Sequence, residues 1–436
     1  MFNAETIQAC LYGLIGFRQH NNAAYDRYDS TVAASSSGVY IDSTAHSLFT
    51  IENISACAEN FANTEISAYA AGTTYAKGDL VLSSGIVYES KVNSNVGNTP
   101  DSSPTQWLVT NLLSAYLRRL MNGSINNLFT SVIAEKKLYE VSKTLLTDIS
   151  LYDGVGNLAK KITKMSRFVG FVITPKYKDT VVNISYAGFQ FDTANPDLDL
   201  YVYHSSQSDP IATINFNIAT PISFSWKQLA TVQRLQANSN TYNDHGCFYV
   251  GYYEDDLQGR AIWREQSFEG VSCASCSGLN SYLYNQWSRY VAIQPFYVEE
   301  AYIEAGRTIF DTEKIIEVNN QNWGLNFKLQ VQCDISDFIC RSSAIFTDAL
   351  RKQVIHDLLR DMAFSMRDNQ RNEKVGQMAM LSLKGDFSSF RQDFNTYENQ
   401  LASAIKGLSF DMSGISDVCV PCNAAGSGIE YSSHFS

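Results

Sequence analysis

The chain is 436 residues long, with 33 Lys+Arg against 44 Asp+Glu for a formal net charge of −11, and it is 45% hydrophobic, 12% aromatic and only 18% charged. That composition excludes a disordered tail, and no window reaches the ~18 to 20 uninterrupted apolar residues of a helix that crosses a bilayer. The acidic balance disfavours nucleic acid as the principal partner, because affinity for the backbone comes from Lys and Arg neutralising phosphates.

At roughly 100 to 200 residues per domain, the length predicts two to four units with their own cores. The opening Met1-Phe2-Asn3-Ala4-Glu5 lacks the basic and apolar stretches of a secretory signal, so none is expected. Residues 1–63 read as a helical and mixed segment. Ile7, Leu11, Leu14, Ile15 and Phe17 suggest one helix, Ser37 to Ile41 a strand, and Ile51, Ile54, Cys57 and Phe61 a second helix. Residues 64–110 change texture to Gly, Ser, Asn, Thr and Pro around short alternating runs, which predicts a small all-β module. Residues 111–165 return to helix, with Leu113, Leu117, Leu120, Leu128, Val132, Leu138, Val141 and Leu145 on one face of a helix over 112–146, in which Gly123 is a candidate interruption. Helix, β module, helix is the pattern of a domain inserted at an exposed connection.

Residues 166–300 carry the strongest β pattern. Seven short β-branched or aromatic runs, beginning at Phe168, Val181, Leu198, Ile211, Ile222, Cys247 and Ala292, predict an antiparallel β-sandwich or jelly roll with one buried and one solvated face. A strand-rich bridge over 301–340 includes Phe327 to Val331. Residues 341–436 turn helical, first over Ile345 to Met366 and then over Asp386 to Leu408, and end in a Gly- and Ser-rich tail. The predicted fold class is therefore multidomain α+β: a central β-sandwich, flanking helical segments and a small inserted all-β module.

Candidate chemistry is sparse. Of nine cysteines, four form C-x-x-C pairs, Cys273 with Cys276 and Cys419 with Cys422. Two such turns can complete a tetrahedral zinc site, although the pairs lie nearly a domain apart in sequence. Disulfides or redox-sensitive pairs, and packed free thiols, are the alternatives. No other cofactor is expected. None of the six histidines sits in a nucleophile motif, and phosphate-cradling and dinucleotide loops are absent. The Glu254-Asp255-Asp256 turn reads as a solvated hairpin tip or, failing that, a cation or sugar-cleavage site. Lys160, Lys161, Lys164 and Arg167 form a local basic patch.

Two resemblances add to this reading. Tyr75-Ala76-Lys77-Gly78-Asp79-Leu80-Val81, then Gly85-Ile86-Val87-Tyr88-Glu89-Ser90, then Gly97, Pro100 and Trp107 resemble the small chitin-binding-type carbohydrate-binding modules of families 5 and 12. The match spans about 40 residues, and it implies a compact β module in which Gly78-Asp79 turns between strands and Tyr75, Tyr88 and Trp107 form an aromatic core and are also the candidate carbohydrate-binding residues. The segment after Tyr88, Lys91 to Asn95, lacks the exposed aromatics on which that family stacks sugars. More loosely, Phe168 to Gly170, Gly251 to Gly259, Cys333 to Cys340 and Cys419 to Cys422 resemble proteins encoded with the virion genes of crAss-like and other Bacteroidetes-infecting tailed phages.

That resemblance implies a non-enzymatic virion protein, assembled in the bacterial host cytoplasm. It would oligomerise with itself as a ring near the portal, connector or tail, against neighbouring virion proteins. Surface glycans are a further expected partner through the module. A low-charge, Tyr- and Asn-rich surface suits permanent interfaces, and rotationally closed contacts give rings. The alternative is a glycan-binding or glycan-degrading β-sandwich protein with an accessory module.

Overall fold

The computed structural model describes residues 3–18, 28–57, 66–138, 143–152, 159–207, 209–236, 246–264, 281–303, 312–319, 321–365, 370–385, 396–410, 415 and 417–419. The chain is α+β and divides into two compact units, 139–338 with 412–436 and 3–138 with 339–411.

The first unit is built on two antiparallel sheets. Six strands lie in the order Ala212–Ile218, Asn195–His204, Phe248–Tyr253, Phe168–Pro175, Val291–Val298 and Ile316–Glu317. Four lie in the order Ser225–Gln236, Thr180–Phe189, Leu325–Cys333 and Thr144–Ser150. Alternate residues of each sheet point into one shared core. Val169, Phe171 and Ile173 come from the first sheet, and Val182, Ile184, Phe327, Leu329 and Val331 from the second. The Phe171 and Phe327 rings meet edge to face at 5.7 Å.

The expected solvated face fails on the six-stranded sheet. Residues that alternate away from the shared core, Phe168, Tyr203, Tyr249, Tyr253 and Phe296, form a second buried cluster with Val298, against which Ile303 and Ile315 pack. Tyr203 and Tyr253 share a hydroxyl hydrogen bond of 2.9 Å, which satisfies both polar ends within this apolar layer. Phe168–Pro175 therefore reads as nearly continuous burial, because both of its faces are covered. Its Gly170 faces Gly251 in register. A Cβ on Gly170 would lie 2.2 Å from the Val250 carbonyl oxygen, so glycine is required at this close approach.

The sheets also draw on segments outside residues 166–300. Leu325–Cys333 pairs with Thr180–Phe189 on one side and Thr144–Ser150 on the other. The helix expected over 112–146 ends at Glu135, and Lys137 takes a left-handed φ of 53°. Leu145 and Leu146 then enter a strand, where a place at the sheet edge outweighs their helical spacing. Gly123 does not break this helix, which runs unbroken over Leu112–Glu135. Its 11 buried residues supply tertiary packing that exceeds the ~1 kcal/mol a helical glycine costs.

The second unit holds helices Ala4–Leu11, Ser30–Ala33, Ile51–Cys57, Leu112–Glu135, Thr347–Ala363, Gln370–Lys384 and Tyr397–Gly407. Asn3 and Asn111 cap two of them, Asn111 accepting from the Ser114 amide at 2.8 Å. Ile15 and Phe17 leave the expected helix for a short strand, Ile15–Phe17, that pairs in parallel with Val39–Ile41. Of the helix expected over 386–408, Tyr397–Gly407 is present and residues 386–395 lie outside the described set, as does Phe61. The inserted module is a three-stranded antiparallel meander, Leu80–Ser83, Ile86–Ser90 and Trp107–Thr110.

Candidate functional site

The module's three aromatic candidates are its core. Tyr75, Tyr88 and Trp107 are 9%, 6% and 3% exposed and pack with Val81 and Tyr69. Tyr75 and Trp107 meet at 5.3 Å, and Tyr69 stacks on Tyr75 at 5.9 Å. Their polar ends are used internally: Trp107 Nε1 donates to the Asn98 carbonyl at 2.8 Å, Tyr88 Oη to Asp101 at 2.6 Å and Tyr75 Oη to the Ala70 carbonyl at 3.3 Å. A sugar ring needs an open aromatic face on which to stack, and these three rings are buried in the module's own cluster. The carbohydrate-binding assignment of Tyr75, Tyr88 and Trp107 is therefore replaced by a core assignment. What the module exposes instead is aliphatic, at Ile86, Val96 and Val109.

The module is anchored by a charged joint. Arg118, from helix Leu112–Glu135, sends Nε and Nη2 to Glu89 on the middle module strand and Nη1 to Asp29. The same guanidinium reaches Thr31 Oγ1 at 2.9 Å and Thr110 Oγ1 at 2.6 Å. Asp29 also caps helix Ser30–Ala33, accepting from the amides of Thr31 and Val32. Burial alone would raise the Asp29 pKa, but the bonds from Thr31, Arg118 and Thr110 outweigh it and hold the carboxyl below its ordinary 3.8. Arg118 responds likewise: burial works against its charge, and the bonds and charges of Glu89 and Asp29 prevail and raise its pKa above the ordinary guanidinium value. Tyr12 is half-buried beside this group, and that desolvation pushes its pKa up to about 12 against the opposing Arg118 charge.

A second buried carboxylate, Asp357 on helix Thr347–Ala363, accepts from Ser124 Oγ at 2.8 Å, Gln353 Nε2 at 3.0 Å and Asn127 Nδ2 at 3.2 Å, with His356 Nδ1 at 3.1 Å. Burial opposes its ionisation, and the bonds from His356, Gln353, Ser124 and Asn127 prevail, so its pKa is lowered. This network ties helix Thr347–Ala363 to helix Leu112–Glu135 through ionised hydrogen bonds.

Candidate chemistry in the first unit is likewise consumed by structure. Glu254 is not a solvated hairpin tip. It is 3% exposed and held by Arg167 through Nε at 2.9 Å and Nη2 at 2.8 Å, and by the amides of Met165 and Arg167. Arg167 in turn lies over the Trp323 ring at 5.0 Å. The other basic-patch residues also have internal partners. Lys161 pairs with Asp192 at 3.1 Å, Lys160 lies over Trp263, and Lys164 donates to the carbonyls of Asp255 and Leu257.

The cysteines are arranged differently from the C-x-x-C reading. Cys419 is bonded to Cys333 and Cys10 to Cys340, with Cα separations of 5.7 and 5.5 Å. Cys273, Cys276 and Cys422 lie outside the described residues. A disulfide sulfur is not a thiolate ligand, so Cys419 does not serve the expected zinc site in this structure. Among the described residues, no group of three or more His, Cys, Asp and Glu side chains is placed to hold a metal ion.

Sequence reasoning missed Arg118, Asp29, Glu89 and Asp357. The signal existed for two of them: Arg118 sits on the buried stripe Ser114, Arg118, Met121, Ile125, Leu128, Val132, and Asp357 on the stripe Leu350, Val354, Asp357. A charge on the apolar side of a helix needs a buried partner. The disulfide partners gave no local signal, since they lie 330 and 86 residues apart. No protein-family model and no curated protein matches the chain. Among solved structures, the flagellar cap protein FliD D1-D2-D3 domains from Escherichia coli align over 66% of this chain and 86% of that chain, at 12% identity and a TM-score of 0.10, a likeness too slight to carry an argument.

Proposed function

We propose that this chain is a structural protein of a tailed-bacteriophage virion, a subunit of a ring in the portal, connector or tail assembly, with its small β module displayed as a decoration. The observation that carries this reading is the exposure of large apolar side chains in both units. Met165, Ile222, Val232 and Tyr282 are 50% exposed or more in the first unit, and Phe364, Met378 and Leu381 are so in the second. Met378 and Leu381 lie three residues apart on helix Gln370–Lys384, and so occupy one side of it. Aromatic and Met-rich surface with few charges suits permanent subunit contacts.

The occupied state of the buried charges points the same way. Arg118, Glu254 and Asp357 each spend their hydrogen-bonding capacity on neighbours in the fold, as structural networks do. The test is mass measurement by light scattering on the purified chain, with mass spectrometry and electron microscopy of virions. A closed oligomer and recovery from particles are expected. A stable monomer absent from virions would overturn the proposal.

A further inference from the structure

We infer that the two disulfides are a two-stage oxidative lock on residues 333–340, with one exchangeable bond and one sealed bond. The chain passes from the first unit to the second between Phe338 and Ile339, and a disulfide in each unit brackets that passage, Cys333–Cys419 before it and Cys340–Cys10 after it. The stretch entering the passage is already held by polar contacts in the first unit. The Cys333 amide donates to the Lys143 carbonyl and the Asp334 amide to the Asp179 carbonyl. Arg234 pairs with Asp334, and Gln236 Nε2 donates to Asp337 at 3.1 Å. These contacts position Cys333 independently of its disulfide, and both pairs stand at Cα separations ordinary for one, 5.5 and 5.7 Å.

Closure needs an oxidant, and a small-molecule disulfide such as oxidised glutathione supplies it by exchange. One cysteine thiolate attacks a glutathione sulfur, releasing one thiol and leaving a mixed disulfide. The second cysteine thiolate then attacks the protein sulfur and releases the second thiol, so two protein thiols and one small disulfide become one protein disulfide and two small thiols. Such closure belongs to an environment more oxidising than a bacterial cytoplasm.

Access separates the two bonds. Cys333 and Cys419 are both 0% exposed, whereas Cys10 is half-buried and its partner Cys340 lies at the boundary of burial at 9%. Exchange requires an attacking thiolate to reach a sulfur, so Cys10–Cys340 opens in the folded protein and Cys333–Cys419 opens only when its surroundings do. The inference extends beyond the virion proposal and is tested on the purified full chain, so either can fail alone.

The test is differential alkylation with peptide mass mapping after treatment with oxidised glutathione, followed by a timed reduction with dithiothreitol. Linked peptides 10–340 and 333–419 are expected, with the first bond lost at least tenfold faster under native conditions and the difference vanishing in denaturant. Joint replacement Cys10→Ser and Cys340→Ser should remove the fast phase and leave the slow one. Pairing of Cys419 with Cys422, Cys273 or Cys276, equal native reduction rates, or a fast phase that survives the double replacement would each overturn the lock.

Discussion

Replacing Arg118 by Met tests the charged joint of the inserted module most directly. The Arg118 side chain is 9% exposed, and the two carboxylates it neutralises, Asp29 and Glu89, are each 15% exposed. The substitution keeps most of the packing volume but leaves two anions and the hydroxyls of Thr31 and Thr110 without their shared donor. Breaking a buried pair by removing one partner costs about 3 to 5 kcal/mol, which corresponds to roughly a hundred- to several-thousandfold in the opening equilibrium. Hydrogen exchange followed by mass spectrometry reads this locally: peptides across 80–90 and 107–118 should lose protection by that factor, while peptides of the strand Phe168–Pro175 keep theirs. Adding Asp29→Asn and Glu89→Gln removes the stranded charges and should recover most of the loss, because Asn still caps the helix. A loss below about 1 kcal/mol, the range of exposed ion pairs, would refute the buried-joint reasoning.

Two further outcomes follow from the same geometry. Trp107→Ala removes the central ring of the module core and should destabilise the module by about 3 to 5 kcal/mol, read by proteolysis within residues 66–110 while the remainder resists. Unchanged protease resistance of that segment would refute the packing. Acid should weaken the fold in two windows. His46 is half-buried against Phe49 and Tyr397 and bonded to Ser382, and this burial lowers its pKa below 6.5. The unfolded chain therefore takes up that proton first, and stability falls as the pH drops below about 6.5. The lowered carboxyls Asp29, Asp42 and Asp357, with Asp192 lowered to about 2, act in the second window. Their contribution is complete above about pH 4 and is lost as the pH falls through their folded values. Urea titrations across pH 2 to 8 check both windows; His46→Gln should flatten the upper one, and a midpoint that does not move between pH 7 and 5 in the wild type would refute that assignment.

Much of the α+β architecture was legible because local chemistry repeats along it. The runs beginning at Phe168, Val181, Leu198 and Cys247 alternate polar and apolar residues or are wholly apolar, and each became a strand within a few residues of the expected place. Pattern failed where partners came from far away. Leu145 and Leu146 continue a helical spacing, yet they became a strand because Leu325–Cys333 offered an edge to pair with. The second cluster over the six-stranded sheet was hidden for the same reason. Phe168, Tyr203, Tyr253 and Phe296 look like an outward row until Ile303 and Ile315 cover them.

The candidate sites divide along the same line. The resemblance to small carbohydrate-binding modules singled out Tyr75, Tyr88 and Trp107 both as a compact aromatic core and as candidate sugar-binding residues, because turn glycines and strand alternation are local properties that mark such a module. Only the tertiary structure decided between the two readings in favour of the core, since burial depends on what surrounds a ring and not on its spacing. Likewise the sequence by itself showed nine cysteines, two C-x-x-C pairs and an acidic, weakly charged chain of mixed helix and strand. That Cys10 meets Cys340, that Cys333 meets Cys419, and that Arg118 joins Asp29 to Glu89 are products of closing long loops. Such contacts are fixed by the summed packing of two cores, which no short stretch of sequence carries.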